Sequence, residues 1–280
     1  MLGAIIGDIV GSVYEFNNYR AKDFQPFFHP KAFFTDDTVC TIAVADALLR
    51  KENPAISLRE WGRRYFANGG WGGHFRQWIV SDDMGAYGSY GNGAAMRVSA
   101  AGLLAKNVDD AIARSNRVTE VTHNHPEGMR GAAATAVAIH LALTKLSAAD
   151  IRQKISQQFG YDLSLTVDEI RPDYRFYVSC QGTVPQALTC AFEATSYEDA
   201  IRNAISIGGD SDTIAAIAGA VAEALFGISD EIATRAWVYL PPEMRAVLLA
   251  LYETAENTLP AAGKQADIKY VARNRSFRAD

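Results

Sequence analysis

The chain of 280 residues is poor in cysteine, and Cys40, Cys180 and Cys190 lack the spacing of a metal-binding cluster. An odd number of thiols with mostly apolar flanks argues against a disulfide framework and suits a reducing compartment. Also missing are Pro/Gly/Ser-rich tracts, charge blocks, low-complexity segments and any convincing internal repeat, so nothing marks a linker. Residues 1–280 are therefore expected to form a single domain. A chain of this length with 49% hydrophobic residues can bury one sizeable core. The apolar start, Met1 to Ile6, is soon interrupted by Asp8 and carries neither a basic leader nor a cleavage-type sequence. Neither a signal peptide nor a membrane span is expected, and a cytoplasmic location follows. Basic charge is not in excess either: a formal charge of −5 argues against non-specific nucleic-acid binding, and the basic tail Lys269 to Arg278 is short enough to be a surface feature.

Strand-type alternation is scarce, and only Tyr174 to Cys180 reads as extended. Helical periodicity dominates instead. Ala-rich stretches at Gly93 to Ala105, Gly131 to Leu146, Val184 to Ala194, Ala200 to Ile207 and Met244 to Leu259 predict helices. In the first helix Gly3, Gly7 and Gly11 share one face, which allows a neighbouring helix to approach closely. Ser179 to Gln186 reads as the start of a helix, with Thr183 and Pro185 in its first turn.

Two short acidic tetrads, Thr35-Asp36-Asp37-Thr38 and Asp210-Ser211-Asp212-Thr213, each open an apolar helical run. Each Asp could simply cap its own helix, where the dipole welcomes negative charge. Capping needs one side chain per helix, however, and here each start carries two carboxylates plus hydroxyls. Four such carboxylates at buried helix ends would repel one another unless cations sat between them, and hard oxygen donors suit Mg²⁺, Mn²⁺ or Ca²⁺. A metal pair is the resulting expectation.

Between the first helix and the first tetrad runs a polar and aromatic loop that includes Glu15, a carboxylate suited to exchanging a proton if the loop closes over the metals, or else a solvated loop residue. A glycine-rich element from Gly85 to Arg97 leads into a helix. Its backbone N–H groups would cradle a phosphate, although an ordinary turn explains the glycines equally well. Tyr87 and Tyr90 offer stacking surfaces or simply cover core. His123 and His125, in Thr122-His123-Asn124-His125-Pro126, are read as hydrogen-bonding rather than metal-ligating groups, with no role assigned to His125.

Taken together, Gly7-Asp8 with Gly11 to Glu15, Phe34-Thr35-Asp36-Asp37-Thr38, Gly88-Ser89-Tyr90-Gly91-Asn92-Gly93-Ala94-Ala95-Met96-Arg97 and Gly208-Gly209-Asp210-Ser211-Asp212-Thr213 resemble the ADP-ribosylglycohydrolase family, in the family's order. The resemblance implies a compact all-α fold, an orthogonal helical bundle with two Mg²⁺ ions (Mn²⁺ as the alternative) at converging helix N-termini beneath an ADP-ribose cleft. Thr35, Asp36, Asp37, Asp210, Asp212 and Thr213 are then the metal-site residues, with Glu15 and Asp36 as the catalytic carboxylates. Gly88, Ser89, Tyr90, Gly91, Asn92 and Gly93 would hold the diphosphate and adenosine, Tyr90 against the adenine, and His123 would touch the adenosine portion. Where relatives place a second adenine-stacking aromatic, this chain has Met84 or a near neighbour. The loop's wording resembles members that cleave O-linked ADP-ribose, including serine-linked conjugates, more than arginine-specific ones. The implied activity is Mg²⁺-dependent hydrolysis of the bond between ADP-ribose and an ADP-ribosylated protein or small conjugate. Nucleic acid enters only as an ADP-ribosylated substrate, and no membrane is involved. A non-catalytic ADP-ribose binder and a metal-dependent phosphohydrolase are the alternatives.

Overall fold

The structure is a computed structural model that describes residues 1–258, and no β-strand occurs among the described residues. Its helices are α1 (Leu2–Gly11), α2 (Asp36–Arg50), α3 (Pro54–Arg64), α4 (Gly73–Val80), α5 (Gly93–Met96), α6 (Ser99–Leu103), α7 (Val108–Thr119) and α8 (Pro126–Leu143). The chain continues through α9 (Ala148–Phe159), α10 (Val167–Ile170), α11 (Cys180–Phe192), α12 (Tyr197–Ser206), α13 (Ser211–Phe226), α14 (Asp230–Trp237) and α15 (Pro242–Thr258). Starts are set by local chemistry: Asn107, Ser147, Ser196 and Ser229 cap α7, α9, α12 and α14 with their side chains. At α3 and α8 an Asn53 or His125 cap is followed by proline in the first helical position. His125 thus has a structural role, its Nδ1 accepting from the Glu127 N–H at 3.1 Å.

Helices apolar all round should lie centrally, and α1 and α13 do. Every residue of α1 is buried, as is α13 from Ser211 to Ala222. α13 packs against α1, α8, α11 and α12, while α2 packs on α3 and α15. The backbones of α1 and α13 touch. A Cβ added at Gly7 would stand 2.0 Å from the Ala215 carbonyl oxygen, and one at Gly11 2.4 Å from the Asp212 Cα. The glycine face of α1 therefore sets the distance from Asp8 to the start of α13.

Four sequence expectations need correction or extension. The helix expected over Gly93 to Ala105 is broken into α5 and α6: ψ rises to −4° at Arg97 and 8° at Val98, where the Arg97 guanidinium turns onto Thr122. The helix expected to begin at Thr183 or Pro185 begins at Cys180, and Pro185 lies inside it. Tyr174 to Cys180 forms no strand, because it meets only one partner, in an isolated antiparallel bridge between Ser179 and Gly91. Helices α3, α4, α7, α9, α10 and α14 add to those the apolar runs predicted, most of them with strongly polar faces. Leu259 and the basic tail Lys269 to Arg278 lie outside the described residues.

The long loop between α1 and α2 is pinned by its own aromatics. Phe24, Phe27 and Phe28 are buried, with Phe28 stacked on Tyr239 at 5.8 Å and Arg202 over both Phe24 and Phe27. Nearer the site, the Arg20 guanidinium donates to the carbonyls of Arg171, Ile207 and Tyr174. Asn18 accepts from the Gly209 N–H and donates to the carbonyls of Gly209, Tyr14 and Glu15. Between these anchors the short stretch around Glu15 and Phe16 is held by the Asn18 bond to the Glu15 carbonyl and by Phe176 against Phe16.

Candidate active site

The two tetrads meet. Thr35 caps α2, its Oγ1 accepting from the Asp37 N–H at 3.2 Å, so the capping reading holds for that residue. Asp210 makes no side-chain cap to α13, so the capping reading does not explain it. Its carboxylate accepts instead from Asn92 Nδ2 at 2.7 Å, and Thr213 Oγ1 donates to Asp37 Oδ2 at 2.9 Å, which joins the two helix starts directly. Glu15, Asp210 and Asp212 each offer a carboxylate oxygen within 4.8 Å of the others. Asp36 stands opposite Gly70, where an added Cβ would be 2.2 Å from its Oδ1.

Beneath them lies a residue to which the sequence reading assigned no role. Asp8, fully buried in α1, accepts from the Thr35 N–H at 2.9 Å, the Thr35 hydroxyl at 2.7 Å, the Thr38 N–H at 3.1 Å and the Thr38 hydroxyl. It ties the start of α2 to α1. Its signal was present as the lone charge in the run Ile5-Ile6-Gly7-Asp8-Ile9-Val10, an expensive place for a carboxylate without partners.

Six carboxylates now share one small volume, and burial pushes every one of them upward. Asp8 rises to about 6 despite its four donors, Glu15 to about 7 through burial and then Asp210 and Asp8, and Asp36 to about 8 through burial and Asp8. Asp37 and Asp212 are driven well above the carboxylate range by burial and then by Asp36 and Asp37 respectively, and Asp210 is raised by burial. Desolvation and mutual repulsion of this kind are relieved by cations among the oxygens. The donor set is all oxygen, buried and acidic, so it fits divalent hard cations.

The carboxylates floor a cavity of about 440 Å³, a size suited to a small ligand. Asp36, Asp37, Asp210, Asp212 and Thr213 form the floor, and Glu15 with Phe16 stands at one side. Phe16 is 86% exposed and stacks on Phe176 at 6.0 Å between centroids. From the glycine-rich loop Ser89, Gly91, Asn92 and Gly93 reach the wall, with Tyr87 and His123 beside them. Thr35, Gly88 and Tyr90 are not among the described residues that wall it. Gly88 donates its N–H to Asn124 Oδ1, and Tyr90, half exposed, meets His125 edge-on at 5.2 Å. Met84 is also outside the wall, its carbonyl held by Arg59, whereas His74, Phe75 and Tyr87 supply rings at the cavity. Gly91 and Asn92 spend their N–H groups on Ser89 Oγ and the Val178 carbonyl, and α5 is a single turn. The helix-end contribution expected of this loop is accordingly small.

The sequence matches the family profile described as ADP-ribosylglycohydrolase over residues 1–266, and the chain belongs to that family. Relatives include the ADP-ribosylhydrolase ARH3 of Bos taurus, 26% identical with 81% of this chain and 84% of that protein covered, and its Homo sapiens counterpart at 24% over 81% and 84%. The ADP-ribosylarginine hydrolase Tri1 of Pseudomonas putida (strain GB-1) is 25% identical over 82% of this chain and 70% of its own length. Among solved structures, one titled "ADP-ribosylglycohydrolase-related protein complex" aligns with a TM-score of 0.68, covering 91% of this chain and 97% of that one at 24% identity, which shows the all-α fold. Family membership makes the chain a hydrolase of glycosyl bonds. No helix among the described residues is long and apolar enough to cross a membrane.

Proposed function

We propose that the chain hydrolyses the glycosidic bond between ADP-ribose and an acceptor, with divalent metal ions bound at the tetrads and O-linked acceptors preferred. The observation that carries this reading is the meeting of Asp36, Asp37, Asp210 and Asp212 at the floor of a cavity flanked by Glu15 and the glycine-rich loop. Asp36, Asp37, Asp210, Asp212 and Thr213 would hold Mg²⁺ or Mn²⁺, with Thr35 and Asp8 bracing α2 behind them. When bound, the ions supply Lewis-acid polarisation of oxygen at the distal ribose.

The protein's own groups do the rest. Glu15, partly exposed at the side of the cavity, is a carboxylate that can both give and take a proton there. It therefore suits protonation of the leaving oxygen and deprotonation of water as the bond breaks through an oxocarbenium-like state. Asn92 orients Asp210, and Thr213 orients Asp37, so that the carboxylates present fixed lone pairs. Ser89 and Gly93, with His123, grip the adenosine diphosphate while Gly91 leaves room beside them, and this remote binding fixes the scissile ribose over the floor. The loop's Gly-Ser-Tyr-Gly-Asn-Gly wording and the similarity to ADP-ribosylhydrolase ARH3 support the O-linked preference. The three unpaired, buried cysteines support a reducing, cytoplasmic setting.

The test is a panel of serine-linked, arginine-linked and nucleic-acid-linked ADP-ribose conjugates, each with and without EDTA. Free ADP-ribose from the serine conjugate, lost on chelation and restored by Mg²⁺, is the expected result. AMP or phosphate as product points to a phosphohydrolase instead, and faster release from arginine overturns the acceptor preference.

A further inference from the structure

We propose that Arg97 and Thr122 are positioning residues that fix His123 as the tautomer protonated on Nε2, so that this ring donates a hydrogen bond to an oxygen of the adenosine diphosphate held against the glycine-rich loop. The ligand's identity rests on the ADP-ribose reading of the cleft; the tautomer does not.

Arg97 is only 1% exposed, yet among the described residues no carboxylate lies within ion-pairing distance of it. Its Nε has no hydrogen-bond partner at all. A buried guanidinium left without a counter-charge is costly, so its retention beneath a cavity calls for a purpose. Its Nη2 stands 2.7 Å from Thr122 Oγ1 and 3.4 Å from His123 Nδ1, while Thr122 Oγ1 is 2.8 Å from the same Nδ1.

The proton positions follow from what each group can do. A guanidinium only donates, so Thr122 Oγ1 accepts from Arg97 and keeps its own proton for His123 Nδ1. With the proton on Nδ1, Thr122 Oγ1 would have to accept from both neighbours, leaving its own proton without either partner, and an N–H would face the Arg97 Nη2 at 3.4 Å beside a buried cation. Nδ1 is therefore the acceptor, and the ring's proton sits on Nε2. That nitrogen faces the loop, 3.5 Å and 3.4 Å from where a Cβ on Gly91 or Gly93 would stand, and all three residues line the cavity. Donation along the relay from Arg97 through Thr122 to His123 polarises the outer N–H, and the unbalanced cation behind it complements an anionic ligand. Burial and the Arg97 charge both hold the ring neutral, well below its ordinary pKa, so the donor persists across neutral pH.

Long-range proton–nitrogen correlation spectra of protein labelled in histidine read the tautomer directly, His123 being assigned by its loss in His123→Gln. An unprotonated Nδ1 and a protonated Nε2 are expected from about pH 5 to about pH 8; a protonated Nδ1 anywhere in that range overturns the proposal. Calorimetry with ADP-ribose then reads the function. His123→Gln, whose amide nitrogen reaches the Nε2 position, should keep affinity within about threefold, whereas His123→Asn, Thr122→Val and Arg97→Met should each weaken it roughly tenfold or more. In Thr122→Val the spectra should show a mixture of tautomers, which a purely structural role for Thr122 would not produce. Unchanged affinity in both Thr122→Val and His123→Asn overturns the proposal. Wild-type protein with the Nε2–H signature but no ADP-ribose binding overturns the ligand, while an ADP-ribose binder with Nδ1 protonated overturns the positioning.

Discussion

Replacing Gly7 with alanine should be among the most disruptive single-methyl additions to this chain. The new Cβ would sit 2.0 Å from the Ala215 oxygen, 2.3 Å from its carbonyl carbon and 2.7 Å from the Ala216 nitrogen, all of them backbone atoms. No rotamer change can clear them. To reach ordinary contact near 3.4 Å, α1 and α13 must part by at least about 1.4 Å, at the level where both helices are fully buried. Overpacking of this kind costs about 1 to 3 kcal/mol, more when backbone rather than side chain must yield. With backbone on both sides of the clash the cost lies at or above the top of that range, and the better helix propensity of alanine returns up to about 1 kcal/mol, so a net loss of about 2 to 3 kcal/mol is expected. For a chain of this size that lowers the melting temperature by roughly 4 to 10 °C. Gly73→Ala is the control, since it adds the same methyl at the first position of α4, where it gains part of that propensity, and its Cβ would meet nothing within 4 Å. Thermal melts and urea titrations followed by far-ultraviolet circular dichroism should show Gly7→Ala well below wild type and Gly73→Ala at or slightly above it. A Gly7→Ala protein that melts within a degree of wild type would refute the claim that touching backbones set the spacing of these helices.

Glu15→Gln should keep ADP-ribose affinity within roughly tenfold and lower turnover by about a hundredfold or more; near-normal turnover in a quenched-flow assay would return Glu15 to an ordinary loop residue. Asp212→Ala should abolish turnover and one metal equivalent in calorimetry while leaving the circular dichroism spectrum intact; full activity of wild type in excess EDTA would remove the metals from the reaction. In the metal-free protein Asp8, Glu15 and Asp36 titrate at about 6, 7 and 8, above their ordinary 3.8, 4.5 and 3.8. The folded chain then binds more protons than the unfolded one, so stability is fullest below about pH 4 for these groups and falls as pH rises towards 8. Urea midpoints in EDTA should be lower at pH 8 than at pH 5, and saturating Mg²⁺ should flatten the difference; a rising midpoint contradicts the carboxylate cluster.

Much of this was legible because short motifs carry local chemistry. Acidic pairs at the heads of apolar runs announced both α2 and α13, and the glycine face of α1 announced a close neighbour. The helices with strongly polar faces, such as α7 and α14, were less legible, since their burial depends on partners the sequence does not name. Asp8 was visible only as an anomaly, because its four donors come from residues 27 and 30 positions away. Arg97 was hidden for the same reason: it looked like one more residue of a continuous helix, whereas the chain breaks there and turns the guanidinium inward onto Thr122. Tyr90, the residue a stacking argument favours, sits half exposed against His125, and Tyr87 takes the place at the wall.

The four hydrogen bonds of Asn18 make the loop above the site two mechanical parts rather than one. Beyond Asn18, the aromatic-pinned stretch is as rigid as the helices it rests on, and before α1 ends the backbone is fixed by Gly11 against Asp212. Between them only the side chains of Glu15 and Phe16, the latter resting on Phe176, have room to swing. A segment so short moves in nanoseconds to microseconds, far faster than the 1 to 10³ turnovers per second usual for enzymes. Movement of this segment would then not be what sets the turnover number.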